Sequence, residues 1–400
     1  MASRLLASAC FLFFRGVATG VTVYGVASVI GLVADISFTT SVLLLMGITV
    51  AYDALGGMRA VVISDVIQMV LLIAAVLLAL FWLADPLISN FASLEDRSQT
   101  LVNDWGLTSG NSYGFWPMLF GGLFLYVAYY GCDQSQAQRL LSAENEAQTR
   151  HILLLNGVLR FPLVFAYCLV GLGLAAYALE QPDFIAALPL TSDGAPNYNL
   201  VFPAFVTREF GAGLAGLAIV GLFAAAMSSI DSALNSLSAS TIEDFVARFT
   251  KLSERQLFLG SKLATVAWGS FAVFFSFQVE YIAPTVLEAI NKVGSMANGP
   301  LLALFTIAVF CPGLGQTAAI TGFLCGLLLN LGLWLFAPGV SWLWWNVSGL
   351  LAALGIAVLI AAATSRRQSL QKPAVPRRLA GQLGGMSLLN FAVCLALQTL

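Results

Sequence analysis

A run of hydroxyl, amide and carboxylate side chains interrupts an apolar stretch between Gly211 and Asp244. The part from Gly211 to Ile230 has no charged residue and, at about 1.5 Å per residue, is long enough to cross a hydrocarbon core of roughly 30 Å. Serine residues begin before this stretch ends, at Ser228 and Ser229. Such a change of chemistry inside one membrane helix indicates an ion site.

The polar residues of this helix fall on one face. At 3.6 residues per turn, Ala225, Ser228, Ser232 and Asn235 share a face, and Ser229 lies one step around. Hydroxyl and carbonyl oxygens without a bound carboxylate suit a monovalent cation that must enter and leave. The alternative is helix packing, because a serine in a membrane helix usually donates to a carbonyl one turn earlier. The density of polar groups favours the ion site.

Composition defines the class of protein around this helix. Apolar residues make up 59% of the 400 residues and charged residues only 10%, which is typical of a polytopic membrane protein. Because a chain in lipid must pair its backbone groups internally, long apolar runs with abundant glycine predict an all-α helix bundle. The six cysteines lack metal-ligand spacing, and His151 is the single histidine. We therefore expect no enzyme, no cofactor and no nucleic-acid partner.

Hydropathy predicts about eleven transmembrane helices, and a short surface helix at Phe202 to Phe210. Asp65 stands at the mouth of the third. The approximate bounds are 8–33, 39–55, 61–84, 114–134, 153–178, 211–236, 258–279, 284–310, 316–336, 342–363 and 383–399.

The loops between these helices predict an orientation. When the loops are assigned alternately to two sides, nearly all Lys and Arg residues of the loops fall on one side, and Arg97 and Arg208 fall on the other. The basic side is expected to be cytoplasmic. We therefore expect a multi-pass protein of the plasma (inner) membrane, with residue 1 on the cytoplasmic side and the last helix running outward.

Three motifs, in order along the chain, resemble the sodium:solute symporter family. The segment FAAAMSSIDSALNSLSASTIEDF is similar to its signature helix, and YDALGGMRAVVISDVIQ is similar to its tyrosine, double-glycine and Asp-x-x-Gln pattern. YYGCDQSQAQRLLSA resembles its aromatic-Gly-x-Asn-Gln pattern, with Asp133 in place of the usual Asn. With INKVGSMANGP further along, the resemblance extends over nearly the whole chain.

The resemblance implies a LeuT-type inverted-repeat core of five plus five helices, with one discontinuous helix in each repeat. The chain, 1–400, would be a single transporter domain, in which 1–84 is the remainder of the first repeat, 114–310 the second repeat and 316–400 extra C-terminal helices. Residue 1 then falls just before the third core helix, so the first repeat is incomplete. We expect either a reading frame that starts late or a relative that does not transport by itself.

For the ion, the resemblance implies that sodium is bound by the carbonyl of Ala225 and the hydroxyls of Ser228 and Ser229. Asp65 matches a carboxylate associated with cation passage, although it would equally serve as a capping or pairing partner of Arg59. Asp231 is expected to line the ion path, or else to bind Arg248 or water.

For the solute, Tyr129 matches an aromatic gate that follows a helix break at Gly121 and Gly122, with aromatic packing as the alternative. Arg160 matches a basic position of sugar-transporting members, or it snorkels to the interface. Tyr126 stands where those members have a sugar-binding Asn, which argues against simple sugar specificity.

The function implied is sodium-coupled symport of a small organic solute (a sugar, amino acid, carboxylate or vitamin) across the lipid bilayer by alternating access. The alternative is a transport-incompetent fragment or a solute-sensing module of the same fold.

Overall fold

The computed structural model describes residues 2–94, 105–106, 113–191, 194–279, 282 and 285–364, without the side chains of residues 52, 54–64, 212, 224, 225 and 312. Within these ranges the chain forms thirteen α-helices. They are α1 (Ala2–Ala34), α2 (Phe38–Ser89), α3 (Gly122–Cys132), α4 (Gln134–Leu141), α5 (Glu146–Glu180), α6 (Pro182–Ala186), α7 (Val201–Glu209), α8 (Ala212–Ser240), α9 (Ala247–Phe249), α10 (Glu254–Ser276), α11 (Val286–Phe310), α12 (Gln316–Phe336) and α13 (Trp344–Ala363).

The helical architecture confirms the predicted class. Among the described residues, 8 helices are long and apolar enough to cross a membrane, and two shorter apolar helices cover Phe38–Ala51 and Pro117–Cys132. Each of the predicted spans between residues 8 and 363 corresponds to one of these helices. The predicted surface helix is also present, as α7. The last predicted span, 383–399, lies outside the described residues.

Helix α2 differs from the prediction. Two spans separated by a connection were expected over 39–55 and 61–84, but a single helix of 52 residues runs from Phe38 to Ser89. Asp65 therefore lies inside a helix and not at its mouth. The sequence between the two apolar stretches contains Gly56 and Gly57 but no proline. Glycine weakens a helix by about 1 kcal/mol without removing a hydrogen bond, so the ladder can continue.

The helix break predicted at Gly121 and Gly122 is absent there, and the helix ends further along, at Asp133. Residues Pro117–Gly121 form a π-turn, in which the N–H of Gly122 reaches the carbonyl of Pro117, and α3 follows without interruption. The chain changes direction at Asp133, whose backbone is extended (φ −80°, ψ 123°). Its carboxylate accepts the N–H of Ser135 at 2.8 Å and caps α4. A capping carboxylate stops the helix here more effectively than the glycines.

The described chain divides into two compact units. The first, called unit 1, contains Met1–Cys10, Glu95–Leu163 and Ser295–Leu400, and the second, unit 2, contains Phe11–Leu94 and Val164–Gly294. In unit 2, α8 packs along α2 and α10, around a core that includes Val42, Leu234 and Ala272. The division into repeats remains a prediction.

A buried amide in unit 1 connects the part of α11 that follows Gly294 to α12 and α13. Pro300 lies inside α11 and has no N–H, so the carbonyl of Met296 one turn earlier loses its usual helical partner. The amide of Asn330, on α12, donates to that carbonyl at 3.0 Å and to the carbonyl of Trp345 on α13 at 3.0 Å. The hydroxyl of Ser348 donates to the oxygen of Asn330 at 3.2 Å. These hydrogen bonds fix the positions of α11, α12 and α13 relative to one another along their axes.

Candidate functional site

The serines of α8 divide into two groups. The hydroxyl of Ser232 donates to the carbonyl of Ser228 at 2.9 Å, and the hydroxyl of Ser236 donates to the carbonyl of Ser232 at 2.6 Å. These two serines therefore follow the packing alternative. The hydroxyls of Ser228, half-buried, and Ser229, exposed, make no hydrogen bond to another described residue. They keep their oxygen atoms available to a ligand.

Ala225 lies one turn before Ser229 in the same helix. Helical carbonyls point toward the C-terminus of the helix, so the carbonyl of Ala225 points toward the turn that carries Ser228 and Ser229. The sequence motif thus places two hydroxyls and one carbonyl on consecutive turns. A monovalent cation accepts such neutral oxygens as ligands.

Asp231 follows these serines and is completely buried, with 0% of its surface exposed. Neither oxygen of its carboxylate has a hydrogen-bond partner among the described residues. Arg248, weighed as its partner, is described and does not pair with it. An ionised carboxylate in such a place costs several kcal/mol unless a cation or a proton accompanies it.

Asp53, on α2, is a second buried acid in unit 2. The amide of Asn235 donates to one oxygen of Asp53 and also to the carbonyl of Asp231 at 3.3 Å. The other oxygen of Asp53 has no partner in the described part of the chain, and only 5% of the residue is exposed. Asn235 therefore connects the carboxylate of Asp53 to the backbone of Asp231, and the helices that carry these residues pack against each other. We call Asp53, Asp231 and Asn235 the acid cluster.

Asp65, on the same helix as Asp53, is half-buried. The side chain of Arg59, its alternative partner, lies outside the described residues.

Arg160 forms a pocket in unit 1. Its guanidinium donates to the hydroxyl of Tyr130 at 2.8 Å and to that of Tyr126 at 3.1 Å, and its central carbon lies 4.7 Å from the centre of the Tyr126 ring. The hydroxyl of Tyr130 donates to the side-chain oxygen of Asn156 at 3.0 Å. Leu153 and Gly157 complete the wall of a cavity of about 180 Å³. We call this cavity the arginine pocket. The structure brings together Tyr126 and Arg160, each of which was separately predicted to contact the solute.

Tyr129 lies beside the direction change at Asp133. Its hydroxyl accepts a hydrogen bond from the amide of Gln136 at 2.7 Å, and its ring meets that of Tyr130 edge to face. Because Tyr129 is on α3 and Gln136 on α4, this bond spans the corner between the two helices. Tyr129 thus fixes the corner, whether or not it also closes a cavity.

Sequence reasoning missed three of these residues. Asp53 lies at the end of an apolar run and was not predicted as a site residue, although a carboxylate at membrane depth by itself indicates a functional site. Tyr130 and Asn156 gave no local sign, because what makes them part of a site is a contact across 26 residues of sequence.

An all-helical membrane bundle with buried acids and unbonded serine hydroxyls is typical of ion-coupled transporters. Comparison with known proteins makes the assignment specific. The sodium:solute symporter family matches residues 2–326, so the chain belongs to this family. The family consists of transporters and not enzymes, which confirms the expected class.

Similar curated proteins are sodium-coupled transporters. The chain is 29% identical over 339 residues to a sodium-dependent multivitamin transporter of Oryctolagus cuniculus, covering 82% of this chain and 51% of the relative. It is 27% identical over 333 residues to sodium-coupled monocarboxylate transporter 2 of Danio rerio, covering 82% and 52%. The chain spans about half the length of these relatives.

A solved structure has the same fold. A Na⁺-coupled sialic acid symporter in a substrate-bound, outward-open state superimposes with a TM-score of 0.80, covering 94% of this chain and 76% of that one, at 22% identity. This similarity confirms the expected LeuT-type helical fold.

Proposed function

We propose that the protein is a sodium-coupled symporter that moves a small organic solute across the membrane by alternating access. In this proposal sodium is bound by the carbonyl of Ala225 and the hydroxyls of Ser228 and Ser229. The observation that carries the proposal is a contrast within α8. The hydroxyls of Ser232 and Ser236 donate to backbone carbonyls, whereas those of Ser228 and Ser229 make no hydrogen bond to the described residues.

The acid cluster supports a path for a cation. A cation that leaves the serines along α8 reaches the level of Asp231 within one turn. Both carboxylate oxygens of Asp231 and one of Asp53 have no partner among the described residues, so they offer negative charge in a buried place, which lowers the energy of a cation there. Asp65 belongs to the same proposed path through its family position.

On the solute side, Tyr126 and Arg160 are proposed to contact the solute, and Tyr129 to act as a gate. The coupling follows from binding: sodium and solute each stabilise one arrangement of the helices, and both are released after the arrangement changes. A membrane potential adds about 2.3 kcal/mol per charge per 100 mV to the driving force.

The test is uptake by the full chain in phosphatidylcholine liposomes with an inward sodium gradient. Glucose, alanine, lactate and nicotinate represent the four classes of solute. We expect at least one to accumulate with sodium and not with choline in its place. In the same preparation, sodium should raise the midpoint of thermal unfolding. No sodium-driven uptake of any of the four would contradict symport by this chain, and a missing thermal shift would contradict the ion site as well.

A further inference from the structure

In the arginine pocket, the polar groups that still can form hydrogen bonds are almost all donors. A guanidinium has five N–H groups and no acceptor. Two of those of Arg160 are used by the hydroxyls of Tyr126 and Tyr130, which leaves three without a partner among the described residues. The pocket therefore begins with an excess of positive charge and of N–H donors.

The neighbouring side chains add donors to this excess. The hydroxyl of Tyr130 donates a hydrogen bond to the side-chain oxygen of Asn156. That oxygen is therefore already used as an acceptor, and the NH₂ group of Asn156 is left to donate to a ligand. The hydroxyl of Tyr126 accepts from Arg160, which leaves its own proton free to donate. The donors left over are thus N–H groups of Arg160, the NH₂ of Asn156 and the O–H of Tyr126. A ligand that satisfies them must be an acceptor.

The positive charge of Arg160 indicates that the acceptor on the ligand is an anion. Arg160 has no carboxylate partner among the described residues. A guanidinium at membrane depth is costly without an anion, a carbonyl or water, and phenol oxygens do not neutralise it. Its planar fork matches the two oxygens of a carboxylate, which makes that pair stronger than a neutral hydrogen bond.

Size decides how much of the ligand is held. The cavity of about 180 Å³ is smaller than the roughly 300–1,000 Å³ of sites that enclose a drug-sized molecule. It accommodates the charged end of a solute and leaves the remainder outside.

We propose that the arginine pocket binds the carboxylate group of an anionic solute. The proposal rests on the proposed function, since it names the class of solute for the side chains assigned to it. Arg160 supplies the charge, the O–H of Tyr126 donates a further bond, and Tyr130 is a positioning residue. Tyr130 holds the guanidinium at one end and is itself fixed by Asn156.

The test follows the reactivity of the Arg160 guanidinium with phenylglyoxal, measured at each arginine by mass spectrometry in the full chain. Lactate and nicotinate are compared with their neutral amides, lactamide and nicotinamide. Arg150 lies on the same helix outside the pocket and is the internal control. We expect at least one of the two anions, and neither amide, to slow labelling of Arg160 about fivefold or more at saturation, with Arg150 unchanged.

A phospholipid headgroup has the same anionic chemistry, so the experiment is run in nanodiscs of phosphatidylcholine alone and with added phosphatidylglycerol. Protection of Arg160 by phosphatidylglycerol and by neither carboxylate would overturn the proposal in favour of a lipid contact. Equal protection by acids and amides, or none in any condition, would overturn it too.

A positioning role for Tyr130 is checked with Tyr130→Phe, which keeps the ring and removes the hydroxyl. We expect a higher anion concentration for half-maximal protection, when the labelling rate of each protein is compared with its own rate without ligand. An unchanged concentration would remove Tyr130 from this role. Because protection is read without transport, it remains measurable if sodium-driven uptake fails, so the two proposals fail independently.

Discussion

At the scale of single residues, burial without partners distinguishes Asp231 from the other acids whose contacts are described. Its carboxylate is shielded from water, and no described donor reaches it. Such a group lowers the stability of the ligand-free protein and gains stability when a cation arrives. The residue thus links ion binding to folding.

We predict that Asp231→Asn raises the midpoint of thermal unfolding in sodium-free buffer, since it removes a buried charge at a gain of about 1–3 kcal/mol. The same change should reduce the further increase that sodium causes. Asp183→Asn, on exposed α6, is the control and should leave both values unchanged. A lower midpoint for Asp231→Asn with its sodium response intact would show that the acid has a partner and a structural role.

We also predict that the double change Ser228→Ala and Ser229→Ala raises the sodium concentration for half-maximal uptake severalfold, because two ligand oxygens are lost. Uptake as a function of sodium concentration measures this. Ser270→Ala removes a hydroxyl that bonds to the carbonyl of Val266, and should leave the sodium dependence as it was. An unchanged dependence in the double variant would remove these serines from the ion site.

The placement of Ser228 and Ser229 on neighbouring positions of one helix was predictable because the motif is local, and their role as ion ligands stays a prediction. The acid cluster was predictable only in part. Asp231 and Asn235 belong to the motif, but Asp53 is 182 residues from Asn235. A contact over such a distance along the chain cannot be predicted from a single sequence. The chemistry of a membrane acid suggests a function, whereas its partner is set by tertiary packing.

At the scale of elements, glycines allow close approach of α12 and α13. A methyl group added at Gly322 or Gly326 would meet the backbone of α13, at the carbonyls of Ala353 and Gly349 respectively. Membrane helices associate largely through such small residues, because lipid offers no hydrophobic driving force between them. The contact depends on these positions and not on glycine in general.

We predict that Gly322→Ala lowers the free energy of unfolding by about 1–3 kcal/mol, because the methyl group has no space. Gly332→Ala, on the same helix, adds a methyl group to open space and should be neutral or stabilising, as alanine is the better helix former. Thermal or denaturant unfolding in detergent compares the two. Equal effects would show that α12 and α13 are farther apart than described.

The Asn330 contact gives a second prediction for these helices. Asn330→Ala should cost about 1–3 kcal/mol, because the carbonyls of Met296 and Trp345 lose their donor in a buried place. In a Pro300→Ala background the cost should be smaller, since residue 300 then supplies an N–H to Met296. A double-mutant cycle on unfolding measures the difference. Strict additivity would show that the amide does not replace the bond lost at the proline.

The sequence predicted the helices better than their ends. Apolar runs of about twenty residues are strong signals, and each predicted span between residues 8 and 363 has a helix. The break predicted from glycine at Gly121 and Gly122 was wrong, because glycine permits a break without requiring one. Asp133 stops α3 by an active mechanism, a side chain that competes for backbone N–H groups.

At the scale of the whole molecule, the orientation in the membrane remains a prediction from the basic loops. We expect a cysteine at Ser142, between α4 and α5, to face the cytoplasm and a cysteine at Thr191, between α6 and α7, to face outward. A membrane-impermeant maleimide added to intact cells should label Thr191→Cys and not Ser142→Cys. The unsubstituted chain, with its native cysteines, sets the background. The reverse pattern would invert the topology.

The π-turn at Pro117–Gly121 sets the rotational phase of everything that follows it on α3. A π-turn is an α-helical turn with one residue more. Deleting one residue there would restore a regular helix and rotate Trp116, whose ring meets that of Trp105, by roughly 100° about the axis relative to Tyr126 and Tyr130. With no change in any side chain, the helix can then keep either the contact of Trp116 with Trp105 or the place of the two phenols beside Arg160, but not both. A single surplus residue, more than one turn before the arginine pocket, thus lets one helix serve two contacts that a regular helix would set against each other.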